Sequence, residues 1–112
     1  DGVMAHLDHL NTWKGKKIII IPCLIELGEK SGEIHMEIGK KIAKVCDMAI
    51  ITTKDKFRDI VKGASLVNYN SKIIFSEKPK EILSLVTTFC KEGDAVLLEG
   101  RVPSELTKLL IK

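Results

Sequence analysis

Aromatic side chains are scarce in this 112-residue chain: Trp13, Tyr69 and three phenylalanines, Phe57, Phe75 and Phe89. A core of any size must therefore be built from Ile, Leu and Val, which suits strands covered on both faces. Long apolar runs are also missing. The longest, which starts at Ile18 and ends before Glu26, is far too short for a bilayer, which takes about 20 residues. No secretory signal pattern is visible. Three cysteines, Cys23, Cys46 and Cys90, are odd in number and widely spaced, which excludes a disulfide framework or a paired metal-ligand motif. Free thiols and a cytoplasmic location are the expectation. Charge of one sign does not dominate: 18 basic and 15 acidic residues leave a net +3. Lysines alternate with acids, as in Asp55–Lys56–Arg58–Asp59, instead of clustering among stacking aromatics, so no nucleic-acid partner is expected. Glycine-rich phosphate loops are absent, because Gly28, Gly32 and Gly39 have neither dinucleotide nor P-loop spacing. A self-sufficient kinase or dehydrogenase is thereby disfavoured.

What is present is a regular alternation. Val3, Leu7 and Leu10 form one helical face, with Met4 and Trp13 flanking it and Gly15 ending the segment. Lys17–Ile21 reads as a central strand, since four consecutive isoleucines are β-branched and Pro22 cannot continue a ladder. A polar loop, Glu26–Gly32, leads to a helix with Ile34, Ile38, Ile42 and Val45 on one stripe, with Ser31 or Gly32 as its N-cap. A second strand is expected at Met48–Thr52, then a short helix, Lys54–Lys62, closed by Gly63. Lys72–Phe75 is the third strand. Ser76 and Pro79 introduce a helix bearing Ile82, Leu83, Val86 and Phe89. Gly93-Asp94 turns the chain into a fourth strand, Ala95–Leu98, and the loop Glu99–Pro103 hands over to a last helix with Leu106, Leu109 and Leu110. Strand and helix alternating in this way predict an α/β fold: one Rossmann-like, doubly wound domain over residues 1–112, with a mostly parallel sheet of at least four strands flanked by helices. The opening Asp1-Gly2 runs straight into a helical pattern, as expected of a piece of a longer protein.

Open parallel sheets bind ligands beyond the carboxyl ends of their strands, near the switch in strand order. Four loops should share that edge: Pro22–Gly32, Thr52–Asp55, Ser76–Lys78 and Glu99–Ser104. His6 and His9 share a helical face, but a metal would need further ligands, so two surface histidines are expected and no metal. His35, near a helix start, should donate to the preceding loop in a structural role. Cys23 lacks an evident base to activate it and is expected to be buried and inert. Glu26 and Arg101 stand in edge loops beside Gly28 and Gly100. They could hold the ammonium and carboxylate of an amino-acid-like substrate, or close two loops as a surface salt bridge. A phosphorylated receiver domain is disfavoured, because the first strand leads into Pro22-Cys23 and the second ends in Thr52-Thr53, not in acids.

Ile19–Pro22 running into Ile25-Glu26-Leu27-Gly28-Glu29, followed by His35-x-x-x-Gly39-x-x-x-Ala43 and Cys46-Asp47, resembles the third domain of the Mur ligase family, most of all its D-alanyl-D-alanine-adding members. The opening Asp1–Leu10 and the stretch Gly93–Leu98 are similar to the helix after that family's hinge and to its last strand, so the likeness covers essentially the whole chain. Pro22-Cys23-Leu24 stands where many relatives have Gly-Asp-Met, and Glu99-Gly100-Arg101-Val102 where many have Lys-Gly-Ser-Arg. The resemblance implies a larger ATP- and magnesium-dependent ligase whose central domain grips the nucleotide, so this part alone is expected to be inactive and to carry no cofactor. It implies partners in the N-terminal and central domains, a UDP-muramoyl peptide and an amino acid or dipeptide. It also implies an amine pocket drawn from the loops after the first and last strands, with Glu26, Gly28, His35, Gly100, Arg101 and Ser104 as substrate-binding candidates and none as catalytic. Another amide ligase of the family, adding glutamate or a different amino acid, and a stand-alone flavodoxin-like binding module are the alternatives.

Overall fold

A computed structural model of the chain describes residues 2–25, 27–67 and 70–99. Helix α1 (Gly2–Leu10) is followed by β1 (Lys17–Ile21), α2 (Ser31–Val45), β2 (Met48–Ile51), α3 (Phe57–Ser65), β3 (Lys72–Phe75), α4 (Pro79–Phe89) and β4 (Ala95–Leu98). The four strands form an all-parallel sheet in the order β3-β2-β1-β4. Helices cover both faces, so the doubly wound α/β class expected from the alternation is the observed one.

The isoleucine run is explained by its place in this sheet. β1 is flanked by β2 and β4, and successive side chains point to opposite faces. Ile19 and Ile21 pack with Val3, Leu7 and Leu10 of α1, Ile38 and Ile42 of α2, and Ile60 of α3. Ile18 and Ile20 face the other way, toward Ile82 and Val86 of α4. All four isoleucines are at most 1% exposed, and full burial of each contributes about 1.5–3 kcal/mol. A polar residue at any of them would lie inside one of two cores, so only Lys17, at the strand's start, reaches solvent.

Several boundaries differ from expectation. α2 begins at Ser31, so neither Ser31 nor Gly32 caps it; Lys30 occupies the cap position and supplies no side-chain hydrogen bond. A 3-10 turn, Gly28–Lys30, feeds directly into α2 within what reads as an irregular polar loop. α1 ends at Leu10, well before Gly15, and Trp13 lies beyond it with its indole N–H donating to the Gly93 carbonyl at 2.7 Å. β2 stops at Ile51, although the Thr52 N–H still bonds the Ile21 carbonyl.

Helix α3 shows the largest difference. It starts at Phe57 and runs to Ser65, so Gly63 lies inside the helix instead of closing it. Gly63 is where α3 crosses α2: a Cβ there would stand 1.9 Å from the Met36 carbonyl oxygen. Gly39 reciprocates, since its Cβ would stand 1.9 Å from the Ile60 carbonyl oxygen. The two backbones therefore meet through a pair of missing side chains. The last helix expected from Leu106, Leu109 and Leu110 lies outside the described residues.

Candidate functional site at the strand carboxyl edge

The helix connecting β1 to β2 and the helix connecting β2 to β3 lie on one face, while α4, connecting β3 to β4, lies on the other. Strand order thus reverses between β1 and β4, and the loops after these two strands flank the switch point. That is where an open parallel sheet forms a ligand crevice. Of the four edge loops, the structure singles out the first and the last.

At the opposite edge, carboxylates bond backbone N–H groups. The Asp94 carboxylate accepts the N–H groups of Lys91 and Lys16 at 2.8 and 2.9 Å, which hold it below the usual carboxylate range. Asp47 accepts the Lys17 N–H at 2.8 Å. Beside it, Cys46 is buried, and burial first and the Asp47 charge second push its thiol up to about 12. Such a thiol is a packing group, not a nucleophile.

At the carboxyl edge, the loop after β1 is fastened by two side chains. The Cys23 N–H donates to Thr53 Oγ1 at 2.8 Å, and Cys23 Sγ accepts the Lys56 N–H at 3.3 Å. Cys23 is 5% exposed, in keeping with the inert role expected of it. His35 supplies the second fastening. Its Nε2 accepts the Leu24 N–H at 2.9 Å, and its Nδ1–H donates to the Ser31 carbonyl at 2.6 Å. The expectation that His35 donates to the preceding loop is corrected: it accepts from the loop and donates within its own helix. An N–H can only donate, so Leu24 sets the ring tautomer. His35 is wholly buried, and both of its nitrogens are engaged.

Gly28 follows four residues after the latched Leu24, with φ +62° and open space where a Cβ would go. Its backbone conformation, not crowding, calls for glycine. Of the six substrate-binding candidates, Gly28 and His35 are therefore placed on the switch-point loop and its fastening. Glu26, Gly100, Arg101 and Ser104 lie outside the described residues.

On the other side of the switch point stands Glu99, which the sequence marks as a departure from many relatives but not as a site candidate. The Glu99 N–H bonds the Ile20 carbonyl at 2.9 Å, extending the ladder one step past β4. Its side chain is only 11% exposed, and both carboxylate oxygens lie 2.8 Å from His6 Nδ1. Both histidines of α1 are exposed, as expected, but His6, with its side chain 57% exposed, is also paired with a carboxylate. Helix α1 brings it there, because Val3 and Leu7 bury on the sheet and hold His6 over the edge. His6 and Glu99 are 93 positions apart, so no local pattern pairs them. An acid directly after the last expected strand, where many relatives have lysine, is the available sequence signal.

Among the described residues, no group of three or more His, Cys, Asp or Glu could hold a metal ion, and no helix is long and apolar enough to cross a membrane. Cys23, Cys46 and Cys90 are free.

The family model described as "Mur ligase, glutamate ligase domain" matches residues 1–102. Among solved structures, the chain is similar to the MurF ligase from Thermotoga maritima in complex with ADP, at 25% identity and a TM-score of 0.72, over 96% of this chain and 24% of that one. The chain thus spans about a quarter of that ligase's length. No curated protein matches it.

Proposed function

Because this chain belongs to the Mur ligase family, we propose that it is the third, amine-binding domain of an ATP-dependent ligase acting in the cytoplasm on peptidoglycan precursors. The parent joins D-alanyl-D-alanine, or a related amine, to the peptide carboxylate of a UDP-muramoyl peptide through an acyl phosphate. The observation that carries the reading is the switch point between β1 and β4, flanked by the two loops that the family likeness assigns to amine recognition. The similarity to MurF favours the dipeptide as the amine. The family description, which names a glutamate ligase domain, supports an amino-acid-adding ligase as the second reading.

The chain contains no phosphate-gripping glycine loop, so on this reading the grip on ATP and magnesium belongs to the central domain of the parent, over which this domain closes. The work of this domain is to present the amine. Arg101 would take the substrate carboxylate and Glu26 its ammonium. Gly28 and Gly100 would let the backbone approach, Ser104 would add a hydroxyl, and His35 would hold the first loop in place.

The test is the parent protein supplied with Mg-ATP, UDP-muramoyl tripeptide and D-alanyl-D-alanine, with the product read by mass and ADP release read in parallel. Formation of the pentapeptide is expected. Product only with glutamate or a diamino acid, on a correspondingly shorter UDP-muramoyl acceptor, would establish the second reading. ADP release that no amine and no muramoyl peptide stimulates would overturn the ligase reading. Arg101→Ala should raise KM for the amine about ten- to a hundredfold, the loss of one charge-assisted contact, and leave KM for ATP unchanged.

A further inference from the structure

We propose that His6, oriented by Glu99, is the proton acceptor for the incoming amine, a role that rests on reading the parent as an amide ligase. The amine of an amino acid or dipeptide arrives as an ammonium, whose nitrogen has no lone pair for attack on an acyl phosphate. A proton acceptor at the amine site removes that barrier.

The geometry of the pair fits this task. Both oxygens of Glu99 accept the same Nδ1–H, at 2.8 Å each, which directs the remaining lone pair of the ring, on Nε2, away from the carboxylate. That nitrogen has no partner among the described residues, and the His6 side chain is 57% exposed. His35, the other imidazole at this edge, has both nitrogens engaged. A carboxylate that fixes the tautomer and then faces the imidazolium is the arrangement of serine-hydrolase triads. Here the carboxylate is the buried partner and the imidazole the exposed one, so the base is open to substrate while its counter-charge stays dry. The pair stands at the switch point, one residue past β4.

The step balances without an added reagent. The ammonium gives one proton to His6 Nε2, and the resulting imidazolium is stabilised by the Glu99 carboxylate. The freed lone pair forms the bond to the acyl carbon, and the carbon–oxygen bond to phosphate breaks with its electron pair. A second proton from the attacking nitrogen departs with phosphate as hydrogen phosphate, leaving a neutral amide. His6 then returns its proton to water. His6 is the catalytic residue and Glu99 a positioning residue.

The experiment uses the full-length parent with Mg-ATP and the UDP-muramoyl peptide. Two nucleophiles are compared: whichever of D-alanyl-D-alanine, glutamate and a diamino acid supports turnover, and hydroxylamine, which is largely unprotonated at neutral pH and needs no acceptor. His6→Asn keeps a donor where Nδ1 stands and removes the base. It should lower kcat with the amine about 10²–10⁴-fold while hydroxamate formation stays at the wild-type rate. Glu99→Gln should shift the same ratio in the same direction, by less. Equal losses with both nucleophiles in His6→Asn would mean a structural role, and unchanged kcat with the amine would mean a bystander; either overturns the proposal. Wild-type protein that turns over none of these amines and forms no hydroxamate would overturn the ligase reading itself, and this proposal with it.

Discussion

Replacing Gly63 by alanine adds one methyl group at the tightest point of the helix layer. The new Cβ would stand 1.9 Å from the Met36 carbonyl oxygen and 2.6 Å from its carbon, against an ordinary contact of 3.4 Å or more. Both neighbours are backbone, so no flexible side chain can swing aside. Helices α2 and α3 must instead part by more than an ångström. That parting loosens Ile38, Ile42 and Ile60, each at most 1% exposed, which lie along the seam. Overpacking of this kind costs about 1–3 kcal/mol, occasionally more. Alanine recovers about 0.5–1 kcal/mol through helix propensity, so the net effect is destabilising. The midpoint of thermal unfolding should fall on the order of 5–10 °C, read by circular dichroism at 222 nm. Gly39→Ala should behave alike, because its Cβ meets the Ile60 carbonyl at 1.9 Å. The double variant should lose less than the two single losses added together, since helices already parted admit the second methyl more cheaply. Gly32→Ala is the control: it sits in α2 with Gly39, but its nearest neighbour is the Asp59 carboxylate at 3.8 Å. It should leave stability unchanged or raise it by up to about 1 kcal/mol. A Gly63→Ala variant as stable as wild type would show that the close crossing does not exist.

Three further outcomes follow from the fastenings at the two edges. His35→Leu leaves the half-buried Leu24 N–H without its acceptor and should cost about 1–3 kcal/mol in denaturant unfolding; an unchanged midpoint would mean the latch is dispensable. Asp94 is held below the usual carboxylate range by the Lys91 and Lys16 N–H groups, so its contribution is present above the unfolded pKa of about 4 and fades as pH falls through the lower folded value. The stability gap between wild type and Asp94→Asn should therefore be constant from pH 7 to about 5 and shrink in stronger acid; a gap that widens on acidification would reverse the sign of the argument. With the Cys46 thiol pushed up to about 12 by burial and Asp47, iodoacetamide at neutral pH should spare Cys46 in the folded chain and label Cys23, Cys46 and Cys90 after denaturation. Labelling of native Cys46 at the rate of a free peptide would contradict its burial.

Much of the architecture was legible because it depends on side-chain periodicity within single segments. Four isoleucines in a row have no polar alternate, and only a strand covered on both faces accommodates that pattern. Strand–helix alternation then dictated parallel pairing. The helix boundaries around Gly63 were not legible. A glycine at the end of an apolar pattern reads locally as a stop, and only the approach of Met36 from another helix makes it an interior residue.

The candidate site divides along the same line. Sequence by itself determined which loops reach the carboxyl edge, since each must follow a strand, and that Gly28 belongs to a turn. It also determined the family likeness, which rests on the order of short motifs along the chain. Tertiary structure alone decided the strand order that puts the switch between β1 and β4, because periodicity says that strands pair but not which ones. It also decided the partners of the polar side chains. His35 was expected to donate to its neighbouring loop, yet the Leu24 N–H makes its Nε2 an acceptor. His6 and His9 share one helical face, yet among the described residues only His6 meets a carboxylate, brought to it across 93 positions by the burial of α1. Hydrogen bonds act over about 3 Å, and no spacing along a chain encodes a distance that the packing of a sheet and a helix has yet to set.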